Sequence, residues 1–325
     1  MPTRRLVLAA PMLAAPMLAL AGRARAATWP EDRPVEIIIP YPPSGGVDTM
    51  ARVVLNHVAP RIPGFRYVVT NRPGAGGQIG FEAIFNAAPD GYTIGAVTNN
   101  AMHGHAIERR PRYRPEDFTF LANITDDPGA FFVDAASPLK TLRDFQAAAK
   151  AAPEALGVGT AGIGTDDHLL MMGFEDAAGV RLIHVPYQGT APQLRDLLGG
   201  RLPVGAFNMG EGITLLREGK IRCLGQAGEA RWSAARDIPT FREQGFDLLG
   251  GSARGLAGPP GIPPEITARL VNAFRDAMAD PAYIAETEKL GLPIRPLVGE
   301  DYRRMMADDY TRLRALWQRR PWKEG

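Results

Sequence analysis

A chain of 325 residues with 45% hydrophobic and 22% charged residues carries enough apolar material for two domains of core and lies outside the disordered and collagenous classes. A formal net charge of +2 with no polybasic run excludes a strongly basic nucleic-acid binder. The single Cys223 excludes an internal disulfide framework and a thiolate metal cluster.

The first 26 residues read as a cleavable export signal. Arg4 and Arg5 precede an apolar run from Leu6 to Ala21, too short to span a bilayer and interrupted by Pro11 and Pro16, and Ala24-Arg25-Ala26 supplies small residues for cleavage. Thr3-Arg4-Arg5-Leu6 also resembles a twin-arginine signal. Removal of residues 1–26 takes away four arginines and no acid, shifting the net charge from +2 to −2. An exported, monomeric protein of the periplasm is the expectation.

Along the rest of the chain, short apolar strands alternate with helical segments, the pattern of parallel α/β sheets. Val35 to Tyr41 is a buried-type strand running into Pro42-Pro43-Ser44-Gly45-Gly46. A helix then opens near Asp48, with Met50, Val53, Val54, His57 and Val58 on one face. Strands are expected at 67–70 and 92–98, with a glycine-rich turn (Gly74 to Gly77) and a helix ending near Ala88 between them. Phe118 to Ile124 and Ala130 to Val133 read as two further strands, and Thr141 to Ala151 as a helix. Leu156 to Thr160 is a strand entering a second glycine loop, Gly162-Ile163-Gly164, after which Thr165 caps a helix to about Ala178. Strands at 182–185, 204–207, 221–224 and 253–257 follow, with helices at 191–198, 213–218, 265–279, 282–290 and 300–320. The expected architecture is two α/β lobes, with the C-terminal helices packed on the first. Lobe 1 comprises 27–125 and 252–325, lobe 2 comprises 126–251, and the two crossings form a hinge beside a central cleft.

Enzymatic readings find little support in these residues. The four serines, Ser44, Ser137, Ser233 and Ser252, lie in no Gly-x-Ser-x-Gly elbow. Cys223 has apolar flanks and reads as a buried thiol. His103 and His105 are two apart without further ligands and read as loop histidines, while His57, His168 and His184 read as isolated structural residues. Gly157-x-Gly159-x-x-Gly162 has dinucleotide-fingerprint spacing, but the next strand ends in Pro186-Tyr187 with no acid for a ribose, and no Walker loop is present. Neither a cofactor nor a metal is called for. What remains is a pair of glycine loops, at Ser44 to Gly46 and at Gly162 to Thr165, each between a strand end and a helix start. Backbone N–H groups and the helix dipole favour an anion there.

Six segments in order resemble the solute-binding proteins of tripartite tricarboxylate transporters, the Bug receptors: VEIIIPYPPSGGVDTMAR (35–52), NRPGAGGQIG (71–80), APDGYTIG (88–95), GTAGIGTDDHL (159–169), HVPYQGTAPQLRDLLGG (184–200) and GLAGPPGIP (255–263). The resemblance runs from about Trp29 to Leu316. It implies a two-lobed periplasmic-binding-protein fold, type II-like, of the Venus-flytrap kind. Such a receptor closes on a small carboxylate for a membrane transporter or a sensor. The ligand-binding positions it implies are Tyr41, Pro42, Ser44, Gly45 and Asp48 on the first-lobe loop, and Thr160, Gly162, Gly164, Thr165 and His168 on the second. Thr98, Asn99 and Asn208 match strand ends facing the cleft, and Tyr187 lies in the matching proline-tyrosine loop. Arg72 would be a packing or hinge residue.

Three features depart from the family pattern. Asp166 and Asp167 stand at a helix start usually held by small polar residues; they read first as acids complementing the helix dipole, and only if one faces the cleft does it disfavour a second carboxylate and favour an amino or neutral group. Gln188 replaces a common lysine. Arg254 replaces the usual aromatic, and its planar fork suits a carboxylate, although a salt bridge is an equal alternative. The sequence therefore points to a binding protein without catalysis. An exported hydrolase or isomerase using the same cleft is the alternative.

Overall fold

The computed structural model describes residues 29–43, 45–187 and 189–322. The export segment, Ser44 and Gln188 lie outside the described residues.

Two sheets share one long strand. The strand order is β2-β1-β3-β9-β4-β7-β5-β6, with β10 and β8 each paired to β4 as well. In the first sheet β1 (Val35–Ile39) runs parallel to β2 (Tyr67–Asn71) and β3 (Thr93–Thr98). β9 (Gly251–Gly258) is antiparallel to β3 and to β4 (Thr119–Asp134), and β10 (Ile294–Val298) closes against β4. In the second sheet β7 (Val204–Asn208) and β8 (Ile221–Gln226) are antiparallel to β4, and β5 (Gly157–Thr160) runs parallel to β7 and β6 (Ile183–Pro186).

β4 is one strand where the sequence suggests two. It pairs with β9 from Thr119 to Pro128 and with β7 from Gly129 to Phe132. The acids and proline of Asp126-Asp127-Pro128 look like a turn. They are tolerated inside the strand because it changes partners there, and Pro128 has no N–H to offer either sheet. The chain returns at Gly250–Gly251, where Gly129 N–H donates to Gly250 O (3.0 Å). Gly251 has φ +153, and a Cβ on it would lie 2.4 Å from Asp127 O, so the close approach of these two crossings requires glycine.

Each lobe has its own core. In the first, α1 (Gly46–Val58) buries Met50, Val54 and Val58 with Val35, Ile37 and Ile39 of β1 and Leu270 and Phe274 of α8 (Pro264–Met278). The helical period and the buried-strand run make these elements readable from sequence. In the second, Phe131, Phe145, Phe174 and Phe241 converge, the Phe145 and Phe174 rings stacking at 4.9 Å. These belong to β4, α4 (Leu142–Ala151), α5 (Asp166–Ala178) and the segment before β9.

Three elements depart from expectation. Asn99–Glu108 forms a helix, α3, so His103 and His105 are helical rather than loop residues; His103 Nδ1 meets Asp309 Oδ2 (3.2 Å) and His105 Nε2 meets Gly76 O (3.1 Å). β10 is an added strand between α9 (Pro281–Leu290) and α10 (Glu300–Arg319). The tail also reaches beyond the first lobe: Trp322, 2% exposed, packs on Leu169 and Met172 of α5, and Arg320 pairs with Glu175. Cys223 is buried, its thiol pushed up to about 12 by desolvation. Arg72 forms an exposed ion pair with Glu36 on β1 (2.8 Å).

Candidate ligand-binding cleft

The first-lobe wall is built at the C-terminal ends of β1 and β3. Tyr41 follows β1 and its hydroxyl shares a 2.8 Å hydrogen bond with Thr98 Oγ1, the last residue of β3. Desolvation pushes the phenol up to about 12; its Thr98 bond and Arg254 oppose the rise, and Asp166 adds to it. The influence of Asp166, from the second lobe, puts that carboxylate within electrostatic reach of Tyr41. Asp48 is buried in the first turn of α1, where its carboxylate accepts from Arg52 Nε (2.9 Å) and Asn71 Nδ2 (3.0 Å). Asn71 Nδ2 also donates to Tyr41 O (3.0 Å), so Asp48 and Asn71 brace the loop. Pro42 and Gly45 lie exposed on it. Gly45 caps α1 with extended backbone, and among the described residues no side chain caps that helix start, although Asp48 supplies an acid in its first turn.

Arg254 comes to the same place from β9, paired in register with Thr98 and Thr125. A Cβ on Gly46 would lie 2.6 Å from Arg254 Nη1, so the guanidinium rests on the first turn of α1. Its Nε donates to Ser252 Oγ (3.1 Å), while Nη2 stands 3.8 Å from Asp127 Oδ2, beyond hydrogen-bond range. Among the described residues, no hydrogen bond occupies Nη1 or Nη2. A cation beside a helix N-terminus is unfavourable by itself, and an anion between the two relieves both.

The second-lobe wall has the opposite charge. Thr160 ends β5, with Oγ1 bonded to His184 Nε2 (2.7 Å). The loop turns through Gly162 (φ +142) and Gly164 (φ +74). Thr165 Oγ1 donates to Gly162 O (2.8 Å) and accepts from His168 N (3.4 Å), capping α5. His168 accepts from Gly164 N at Nδ1 (3.1 Å) and stacks on His184, with ring centres 3.9 Å apart. The two are a pair rather than isolated residues. Desolvation, with His184 and Arg320 adding to it, pushes His168 down to about 3, so its ring is neutral. Tyr187 donates its hydroxyl to Asp196 (2.9 Å).

Asn208, at the end of β7, is the junction of this wall. Its Nδ2 donates to Asp127 O (3.0 Å) and Asp166 Oδ2 (2.9 Å), and its N–H donates to Glu211 Oε2 (3.1 Å). Asp127 is 3% exposed and accepts from Gly210 N–H (2.9 Å). Desolvation, with Glu211 and Asp166 adding to it, raises Asp127 to about 7 against the pull of Arg254. Asp167 is also buried. Its Oδ2 accepts from Ala161 N–H (3.0 Å), its Oδ1 has no partner, and desolvation followed by Asp166 and Glu211 raises it strongly.

A run of contacts links the two walls: Tyr41 to Thr98 and Gly46 to Arg254 on the first lobe, Arg254 to Asp127 at the crossing, and Asp127 through Asn208 to Asp166 on the second. Asp48, Thr160, Gly162, Gly164, Thr165, His168 and Tyr187 hold the loops that form these walls. Asn99 turns elsewhere, with Nδ2 on Asp309 (2.9 Å) and Oδ1 accepting from Ala253 N–H (3.0 Å). Sequence reasoning missed Asp127 and Glu211. For Glu211 the signal was its place three residues after Asn208 at a helix start; for Asp127 there was none, since it read as part of a turn.

Residues 50–321 match the family described as the tripartite tricarboxylate transporter family receptor. The chain belongs to that family. It resembles a TctC solute-binding protein from Polaromonas at 30% identity, covering 90% of this chain and 100% of that one, with a TM-score of 0.81. A Rhodopseudomonas palustris protein, Rpa4515, solved with adipate, is 27% identical over 89% of this chain and 97% of its own, with a TM-score of 0.75. MatC of the same organism, solved with bound malate, is 26% identical over 88% of this chain and 99% of its own, with a TM-score of 0.71. The TctC family is one of solute-binding receptors, and this chain has its two-lobed fold.

Proposed function

We propose that this TctC-family chain captures a small carboxylate between its lobes, 27–125 with 252–325 and 126–251, and presents it unaltered to a membrane transporter or a sensor. Its site is the periplasm, reached through cleavage near Ala26. The observation that carries the reading is Arg254, whose two terminal nitrogens make no hydrogen bond to the described residues, resting on the first turn of α1. Arg254 and the loop from Tyr41 to Gly45 hold the carboxylate, and Asn208 and Asp166 meet the rest of the ligand from the second lobe. The neutral His168–His184 pair and the hydrogen bonds of Thr160 and Thr165 keep the second loop rigid, so the gain on binding comes from contacts made when both lobes touch the ligand. The binding of malate and adipate by the two Rhodopseudomonas structures supports the carboxylate. Among the described residues no three His, Cys, Asp or Glu side chains converge on a metal position.

A thermal-shift screen of small carboxylates, run beside quantitation of each ligand after incubation, tests this. Ligands that raise the melting temperature and are recovered intact support it. Consumption of a ligand replaces it with the hydrolase or isomerase reading.

A further inference from the structure

Helix α10 begins on the first lobe, where Tyr302 and Met306 are buried with Phe81, Val97 and Phe120, but its end and the residues after it do not stay there. Leu313 and Trp322 are buried with Leu169 and Met172 of α5, and the Trp317 ring meets Trp322 edge-on with ring centres 4.8 Å apart. The Trp322 indole N–H donates to Glu108 Oε1 at the end of α3, so this one ring touches both lobes. Arg320 pairs with Glu175, which is 1% exposed on α5. The indole also lies against the second glycine loop: a Cβ on Gly164 would stand 3.2 Å from Trp322 Cδ1 and 3.1 Å from Glu108 Oε1. With φ +74, Gly164 supplies both the turn and the room for the ring.

Other contacts join the lobes beside the strand crossings. Arg295 bridges Asp126 and Glu229, and Arg312 Nη1 donates to Leu249 O (2.6 Å) next to Gly250. From Arg312, α10 continues to Arg319, which carries the tail roughly 10 Å farther from that pivot. A rotation of one lobe displaces a contact in proportion to its distance from the pivot. The close-packed indole seat is therefore strained before the side chains at the crossings are. Resting on the lobe division above but not on any ligand, we propose that Arg320 to Trp322 form a strap that fixes the angle between the lobes. While Trp322 is seated, α5 and the loop 162–165 are held against α3 and α10, so the tail sets where the second wall of the cleft stands. A change of lobe angle requires the indole to leave one of its two sides.

The test is the distribution of inter-lobe distances in the ligand-free full chain, read by pulsed dipolar electron resonance. Nitroxides are placed on Leu290→Cys at the end of α9 and Arg217→Cys at the end of α7 (Met209–Arg217), both exposed positions. Cys223, 5% exposed, stays unlabelled. The expected result is one narrow peak for the parent pair, at least twofold broader on Trp322→Ala. Glu108→Ala, which unties the exposed α3 side without opening a cavity, gives a lesser broadening. Loss of stability alone, which any buried tryptophan would show, does not widen the distribution of a folded protein. A broad parent peak, or an unchanged width and mean in folded Trp322→Ala, would overturn the strap; if that variant does not fold, Glu108→Ala decides in the same way. Because no ligand is present, either result leaves the carboxylate reading to its own screen.

Discussion

Arg254→Gln removes the only cation that the described residues place at the first-lobe anion seat, and the expected loss can be worked from its contacts. The side chain is 16% exposed and its two terminal nitrogens make no hydrogen bond to the described residues, so a carboxylate arriving there gains a charge-assisted, two-pronged contact. A hydrogen bond to a charged group contributes about 1.5–3 kcal/mol, and each 1.36 kcal/mol is a factor of ten, so affinity for a carboxylate should fall roughly ten- to hundredfold. Glutamine retains a donor and similar length, which limits the packing change. The decisive comparison is a carboxylate against its own amide, 6-aminohexanoate against 6-aminohexanamide, titrated calorimetrically into both proteins. The wild type should prefer the acid and the variant should lose that preference. Equal losses for acid and amide, or no loss for either, would mean that Arg254 serves only Asp127 and Ser252 and that the anion seat lies elsewhere.

Other expectations follow from the same contacts. Gly46→Ala should weaken carboxylate binding by calorimetry, because its Cβ would sit 2.6 Å from Arg254 Nη1 and push the guanidinium aside. Its melting temperature should hold or rise, since alanine gains roughly 0.5–1 kcal/mol over glycine within a helix; a drop in both would point to a misfolded loop instead. Asp127 keeps its proton to about pH 7 when folded but releases it near ~3.9 when unfolded, so the folded state loses stability as pH rises between those values and stays penalised above them. Asp127→Asn should therefore melt later than wild type at pH 8, by roughly 1–4 kcal/mol of stability, and alike at pH 4. The opposite ranking at pH 8 would show that the Arg254 attraction outweighs burial. Trp322→Ala should cost about 3–5 kcal/mol in denaturant titration, the loss expected for a buried tryptophan, and a cost below ~1 kcal/mol would show that the tail is not docked on α5.

The parts of the fold that sequence made legible are those whose pattern is local. Val35–Ile39 and the Met50, Val54, Val58 face of α1 follow from burial of a continuous strand and of one helix stripe. Helix α3 escaped because it is packed on several sides, with Met102, His103, Gly104 and His105 buried in succession, which leaves no amphipathic period to read. β10 escaped because Ile294-Arg295-Pro296-Leu297-Val298 contains a proline, tolerated only because the strand has a single partner in β4. At the cleft, the loops were visible as glycine punctuation between strand and helix, but their opposite charge was not. Asp127 stands 83 residues before Gly210, its N–H donor, and 127 before Arg254, so their meeting depends on the long-range pairing of β4 with β7 and β9.

The placement of Arg254 also bears on how closure and selectivity divide between the lobes. It sits on β9 three residues past Gly251, where the chain has just returned to the first lobe. Its partners Ser252 and Gly46 belong to that lobe, and Asp127 lies at the crossing itself. Relative rotation of the lobes therefore moves Arg254 little with respect to the anion seat. The acids Asp166 and Glu211 ride with α5 and α7, tied together through Asn208, and approach as a unit. The second loop is braced from outside as well, since a Cβ on Gly164 would lie 3.2 Å from the Trp322 ring. On the proposed reading, a ligand docks its carboxylate on the first lobe before closure, and its other end is read only when the second wall arrives. Closure is then favoured to the extent that this end gains contacts with the second wall that the open form does not offer.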